Sequence, residues 1–98
     1  MPADLRLVDP VELRLPSFRS AGADRQKLQR QIARFGASAI GMPPVFVYEG
    51  SDGVLELIDG VTRATRIAKL APGTRIYAEV IGKYRKPRGS QPRIGDKL

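Results

Sequence analysis

The sequence predicts a small α/β (α+β) fold: one compact domain with a small mixed sheet and two main helices. Three observations carry that expectation. First, 98 residues with 42% hydrophobic content can bury one modest core and little more. Second, apolar residues recur at helical spacing in two stretches, Leu28, Ile32 and Phe35 in one and Ala64, Ile67 and Ala68 in the other. Third, runs of β-formers lie around and after them: Val45–Tyr48, Val54–Ile58 and 74–81.

Composition narrows the chemistry. Trp is absent and only 6% of residues are aromatic, so Leu, Ile and Val must fill the core. With no Cys and no His, disulfides, thiolate nucleophiles, the usual structural zinc and imidazole acid–base chemistry are excluded. Catalysis would fall to Asp, Glu, Ser, Thr, Tyr, Lys or a bound metal. No apolar run approaches the roughly 20 residues of a membrane span, and the N-terminus lacks a signal-peptide pattern. The expected location is therefore cytoplasmic, with no membrane partner.

Charge is unevenly spread. The net charge is +7. Residues 1–81 hold 11 basic and 9 acidic residues, whereas residues 82–98 hold 6 basic and 1 acidic. The expected division is a domain over 1–82 and a basic, Pro/Gly-containing tail over 83–98. That tail, with Lys83, Arg85, Lys86 and Arg88, reads either as a solubilising end or as a general attractor of nucleic acid. It is expected to be mobile or loosely docked.

In chain order, Leu5 and Leu7 begin a short first strand. Asp9-Pro10-Val11-Glu12 reads as one capped helical turn, with Pro at its first position. Residues 14–23 are irregular, and Leu15 and Phe18 are candidates to anchor them to the core. Asp24 caps a helix that runs to about Phe35, with Gly36 just past its end. Its basic residues Arg25, Lys27, Arg30 and Arg34 read as a solvated face. Residues 36–44 form a small apolar loop of two glycines and two prolines, suited to packing beside a site. Strand 45–48, the hairpin loop Glu49-Gly50-Ser51-Asp52-Gly53 and strand 54–58 follow. A second helix spans about 62–70, Pro72-Gly73 ends it, and a last strand closes at Gly82.

The return strand delivers the chain to Leu57-Ile58-Asp59-Gly60-Val61-Thr62-Arg63-Ala64-Thr65-Arg66. Gly60 frees the backbone to turn, and Thr62 is placed to cap the new helix. Arg63 and Arg66 are three apart and share a helical face near the free amides. Exposed N–H groups beside two guanidiniums make an anion site. Arg63 could instead pair with Asp59 or Glu56. Asp59 has three readings: it holds the turn, orients Arg63, or binds a divalent metal or activates water. A metal-dependent reaction would want a second carboxylate. Glu56 points to the other strand face, and Glu12 and Glu79 qualify only if the fold brings them round.

With Gly36, Pro43-Pro44-Val45, Leu57-Ile58-Asp59-Gly60 and Arg63 in this order of elements, residues 4–82 resemble the ParB/sulfiredoxin superfamily, whose members include ParB-like nuclease domains. The resemblance implies a fold whose Gly60-x-x-Arg63 turn binds phosphate, from ATP in sulfiredoxins and from CTP in partition ParB proteins. Gly60 and Arg63 match that turn directly, and Asp59 matches the acidic residue before it. Arg19 resembles, more weakly, an Arg near the start of the fold. Thr62 stands where many relatives carry His or Arg. The sulfiredoxin Cys would fall near Val61, so its reductase chemistry is excluded. The helix-turn-helix of partition ParB proteins would lie beyond this sequence.

The expectation is a phosphate-recognising domain acting on a nucleotide or nucleic acid, by phosphoester hydrolysis as a nuclease or nucleotidase. Asp59 would be catalytic. Gly60, Thr62, Arg63, Arg66 and Arg19 would hold phosphate, with ATP or CTP and Mg²⁺ as candidate cofactors. Two alternatives stand beside it. One is a non-catalytic nucleotide-sensing or DNA-binding module in which the tail supplies most affinity. The other is the toxin tip of a secreted bacterial effector, with an immunity or partner protein, delivered to a target-cell cytoplasm.

Overall fold

Strands β1 (Leu5–Val8), β2 (Val45–Glu49), β3 (Leu55–Asp59) and β4 (Ile76–Lys83) form one mixed sheet in the order β1-β4-β2-β3. The computed structural model describes residues 3–98, so the first two residues of the expected domain lie outside it. β2 and β3 pair antiparallel across the expected hairpin, and β1 pairs antiparallel with β4. β2 and β4 run parallel, with Val45 opposite Ala78 and Val47 opposite Val80. A parallel pair needs a crossover, which β3 and helix α2 (Val61–Leu70) supply. The expected mixed sheet with two helices is thus the observed fold.

One sheet face is core. Val45, Val47, Leu57, Ile76 and Ala78 pack there against Ala64, Ile67 and Ala68 of α2. The opposite face carries half-exposed Leu5, Leu7 and Tyr77. α2 lies close to the sheet because its inward positions are small.

Helix α1 (Arg25–Phe35) packs on α2 rather than on the sheet. The Asp24 carboxylate accepts from the Lys27 amide at 3.0 Å, as expected of a cap. None of its residues is buried, and Phe35 is 46% exposed. Phe35 is therefore not the core residue its spacing suggests. Leu15 anchors the preceding loop at 0% exposure, but Phe18 projects into solvent at 72%.

Two boundaries shift. The Thr62 cap does not form: α2 begins at Val61 with Gly60 at the cap position and no side-chain cap. β4 also continues through Gly82 to Lys83. A Cβ on Gly82 would lie 2.6 Å from Tyr48 Cζ, so glycine here lets the ring cover the strand rather than ending it.

The largest correction concerns residues 83–98, which form no loose tail. Leu15 N–H donates to Pro92 C=O at 2.8 Å, and Ile94 N–H to Leu13 C=O at 2.9 Å. The 13–15 segment in turn bonds the outer edge of β3, through Arg14 N–H to Leu55 C=O and Leu57 N–H to Arg14 C=O. The C-terminal segment thus helps close a sheet edge. Ile94, at 1% exposure, is part of the core. Glu56, 2% exposed, accepts from Arg88 Nη2 at 2.6 Å, Arg88 Nε at 2.9 Å and Tyr84 Oη at 3.0 Å. A carboxylate buried on the sheet needs such partners, and only this segment provides them.

Candidate phosphate-binding cleft

Between the start of α2 and one side of α1 lies an open cleft of about 490 Å³. Its first wall is the turn itself: Asp59, Gly60, Val61, Thr62 and Arg63. Gly60 takes φ 100°, and an added Cβ would fall 2.6 Å from Val45 Cγ1. Only glycine fits this left-handed backbone against β2. The first intrahelical donor is the Ala64 amide, bonded to Gly60 C=O at 2.9 Å. The amides of Val61, Thr62 and Arg63 precede it and have no intrahelical acceptor. With no side chain capping them, they present the positive end of the helix dipole.

Arg63 pairs with neither Asp59 nor Glu56. Its Nη2 donates to Pro44 C=O at 3.0 Å, and its buried Nε has no protein partner among the described residues. The guanidinium is thus fixed by the Pro43-Pro44 loop while keeping donors unused. The Asp59 side chain is exposed and makes no hydrogen bond or ion pair among the described residues. Two of its three readings, tying the turn and orienting Arg63, therefore lack the contacts they require.

The second wall is the side of α1 that carries Lys27, Arg30 and Arg34. Periodicity alone makes these a solvated face. The structure shows where that face looks: across the cleft at the turn. Arg19 lines the cleft from the preceding loop. None of Arg19, Lys27, Arg30 and Arg34 has an ion-pair partner among the described residues. Against the five cations of the cleft stand two acids, Asp24 and Asp59. The Lys27 amide holds the Asp24 carboxyl below its ordinary value, so this cap stays charged.

Of the residues expected to bind phosphate, the fold brings Gly60, Thr62, Arg63 and Arg19 into one cleft beside Asp59. Arg66 does not join them. It is 1% exposed and donates to Gly36 C=O and Ser38 C=O, each at 2.7 Å, and to Gln31 Oε1 at 3.2 Å. Burial pushes its guanidinium down from its ordinary value. Three residues past Arg63, it has turned inward to pin the loop after α1, a structural role. Arg88 is likewise withdrawn, into the Glu56 pair. Glu12 pairs with Arg93, Glu79 lies on the open sheet face, and neither lines the cleft.

A second, more apolar cleft of about 350 Å³ opens from the first. They share Gln31, Arg34, Phe35 and Arg63, and the second adds Ile40, Met42 and Pro43. The small apolar loop at 36–44 therefore lines a cavity beside the turn. No group of three His, Cys, Asp or Glu residues placed to hold a metal occurs among the described residues. No helix of the described chain is long and apolar enough to cross a membrane.

Neither family models nor curated proteins match the chain. Among solved structures it is similar to protein Atu1540 from Agrobacterium tumefaciens, with a TM-score of 0.54 and 19% identity. The likeness covers 85% of this chain but 42% of that one, so the chain spans less than half its length. At that identity the shared feature is the fold.

Proposed function

We propose that this cleft binds the phosphate of a nucleotide or nucleic acid, and that the domain hydrolyses a phosphoester there. The observation that carries the reading is the convergence of uncapped α2 amides with five cations in one cleft. The residues of the Gly60-x-x-Arg63 turn are also those that resemble ParB/sulfiredoxin-like domains. Arg63 and the turn amides hold the phosphate, and Arg19 and the α1 cations neutralise its charge. Asp59, unengaged and beside the turn, positions the attacking water. A Mg²⁺ held by Asp59 and the ligand's own phosphate oxygens suits this donor set, because Mg²⁺ is commonly held by one or two carboxylates plus phosphate. Such chemistry is mostly positioning and charge neutralisation, which a sparse site can supply.

The test is a thermal-shift series with ATP, CTP and a short oligonucleotide, with and without Mg²⁺. A ligand that stabilises the native protein but not Arg63→Ala, with that variant still folded, supports the phosphate site. Equal stabilisation of both sinks it. Asp59→Asn then separates hydrolysis from recognition, since it should abolish turnover while binding persists. A second reading, a binding module without chemistry, is favoured by the single unengaged carboxylate in the cleft. Binding by the native protein with no turnover would establish it.

A further inference from the structure

The cleft is partly open to solvent rather than enclosed, and it runs on into the second cleft through their shared Gln31, Arg34, Phe35 and Arg63, so that the two together make a trough. Enclosed sites bury most of a small ligand, whereas a trough suits a ligand that continues past its ends. An aromatic ring stands exposed at two places on it. Phe18 and Phe35 are 72% and 46% exposed, and they are two of the three phenylalanines in the chain. Both rings line the same cleft as the unpaired cations, which places stacking surfaces beside phosphate-binding charge. Lys27, Arg30 and Arg34 lie on the same wall at i, i+3 and i+7, a row of roughly 10 Å along the helix axis. Phe35 is steadied by Arg66, whose Cζ lies 5.3 Å from the ring centroid and whose own position is fixed by its loop contacts. Arg34 lies 5.2 Å from the same ring but is exposed and unpaired, so it can make way for a base or stack on it. Beyond Phe35 the trough continues into the apolar cleft, where Ile40 is 95% exposed.

We infer that the trough takes a single-stranded nucleic acid, with bases stacked at Phe18 and Phe35 and phosphates along Lys27, Arg30 and Arg34. This rests on the phosphate-binding reading of the same cleft and narrows it from nucleotides in general to a strand. A cationic row with exposed rings is the general means of holding single strands without reading sequence. Both DNA and RNA offer this chemistry.

The experiment measures anisotropy of fluorescein-labelled dT10 and rU10 across a salt series, with unlabelled dT2 and ATP as competitors. Wild-type protein should bind a decamer at least about tenfold more tightly than dT2, with log affinity falling linearly in log salt. Phe18→Ala and Phe35→Ala should each weaken decamer binding by about tenfold. Arg30→Ala should reduce the salt slope by about 0.7, the value for one single-strand phosphate contact. Tyr77→Ala, an exposed aromatic on the open sheet face, is the control and should bind as wild type. Thermal melts check that each variant is folded. A dT2 or ATP affinity equal to that of the decamers overturns the inference, as do Phe variants that bind like wild type. If the inference fails in this way while Arg63→Ala still loses ligand, the phosphate site stands without the strand. If Arg63→Ala also binds every probe normally, the phosphate reading falls with it.

Discussion

Two basic regions of this protein differ in what their cations do. Along residues 83–98, Arg88 pairs with Glu56, Arg93 with Glu12 and Asp96, and Lys83 lies 3.9 Å from Glu49. In the cleft, Arg19, Lys27, Arg30 and Arg34 have no such partners among the described residues. The C-terminal segment has the higher density of positive charge in sequence, yet much of it is spent internally. Net charge along a chain therefore does not locate an anion site. What locates it is unpaired charge converging from separate elements.

The widest separation between the regions should come from charge reversal. Lys27→Glu/Arg30→Glu/Arg34→Glu should weaken oligonucleotide binding by more than about 100-fold at roughly 0.1 M salt. Arg85→Glu/Lys86→Glu changes two exposed cations beside the hairpin tip, where Ser51 N–H bonds Lys86 C=O, at the far end of β2 and β3 from Gly60. That pair should alter binding by about threefold or less, since separation beyond a Debye length of about 10 Å screens it. Equal losses in the two variants, by anisotropy, would erase the contrast.

Stability should rank the regions in the opposite order. Arg88→Ala strands the buried Glu56 carboxylate and should cost about 3 kcal/mol, read as a lowered midpoint in urea. Arg30→Ala removes an exposed, unpaired cation and should stay within about 0.5 kcal/mol. By the same reasoning, truncating the chain after residue 82 should unfold it, because Ile94 leaves the core and a sheet edge opens. Loss of binding on truncation would therefore say nothing about a nucleic-acid tail.

Gly60→Ala tests the turn that forms the first wall of the cleft. At φ 100° with Val45 Cγ1 2.6 Å from the new Cβ, the substitution should cost about 2 kcal/mol or more. It should also weaken phosphate binding, because relief of the clash moves the α2 amides. A variant as stable as wild type would show that the turn is not held against β2.

Local rules made much of this legible in sequence. Asp24 and Gly36 mark α1 because capping and left-handed backbone are properties of single residues. The hairpin and the Asp59-Gly60 turn are equally local. Arg66 and Phe35 depart from the expected roles because helical spacing gives a face but not its neighbour. Arg66 finds two carbonyl acceptors in the loop after α1 and a third acceptor in Gln31 of α1 itself, and Phe35 finds no core beneath it. The α1 cations are exposed, as a solvated face requires, but a solvated face and a cleft wall share one pattern, so spacing does not reveal what that face looks onto. The docking of residues 83–98 rests on Glu56, which an alternating strand places on a face but whose partner lies 32 residues on.

The smallest expected effect concerns pH. Burial opposes ionisation of Asp52, but the amides of Arg88, Gly89 and Val54 hold its carboxyl below its ordinary value. A depressed folded value means that the charged form stabilises the fold. The contribution is complete above the ordinary carboxylate range and is lost as pH falls through the folded value. Melting temperature should therefore drop in acid, and Asp52→Asn should flatten part of that drop. The cleft should behave differently. Its cations are Lys and Arg, and the chain has no His to titrate near neutrality. Binding of dT10 should stay level from about pH 5 to 8, because the chain has no His and a phosphodiester keeps its charge there. A bell-shaped or sloping binding curve in that window would overturn the expectation that fixed cations alone set affinity in the cleft.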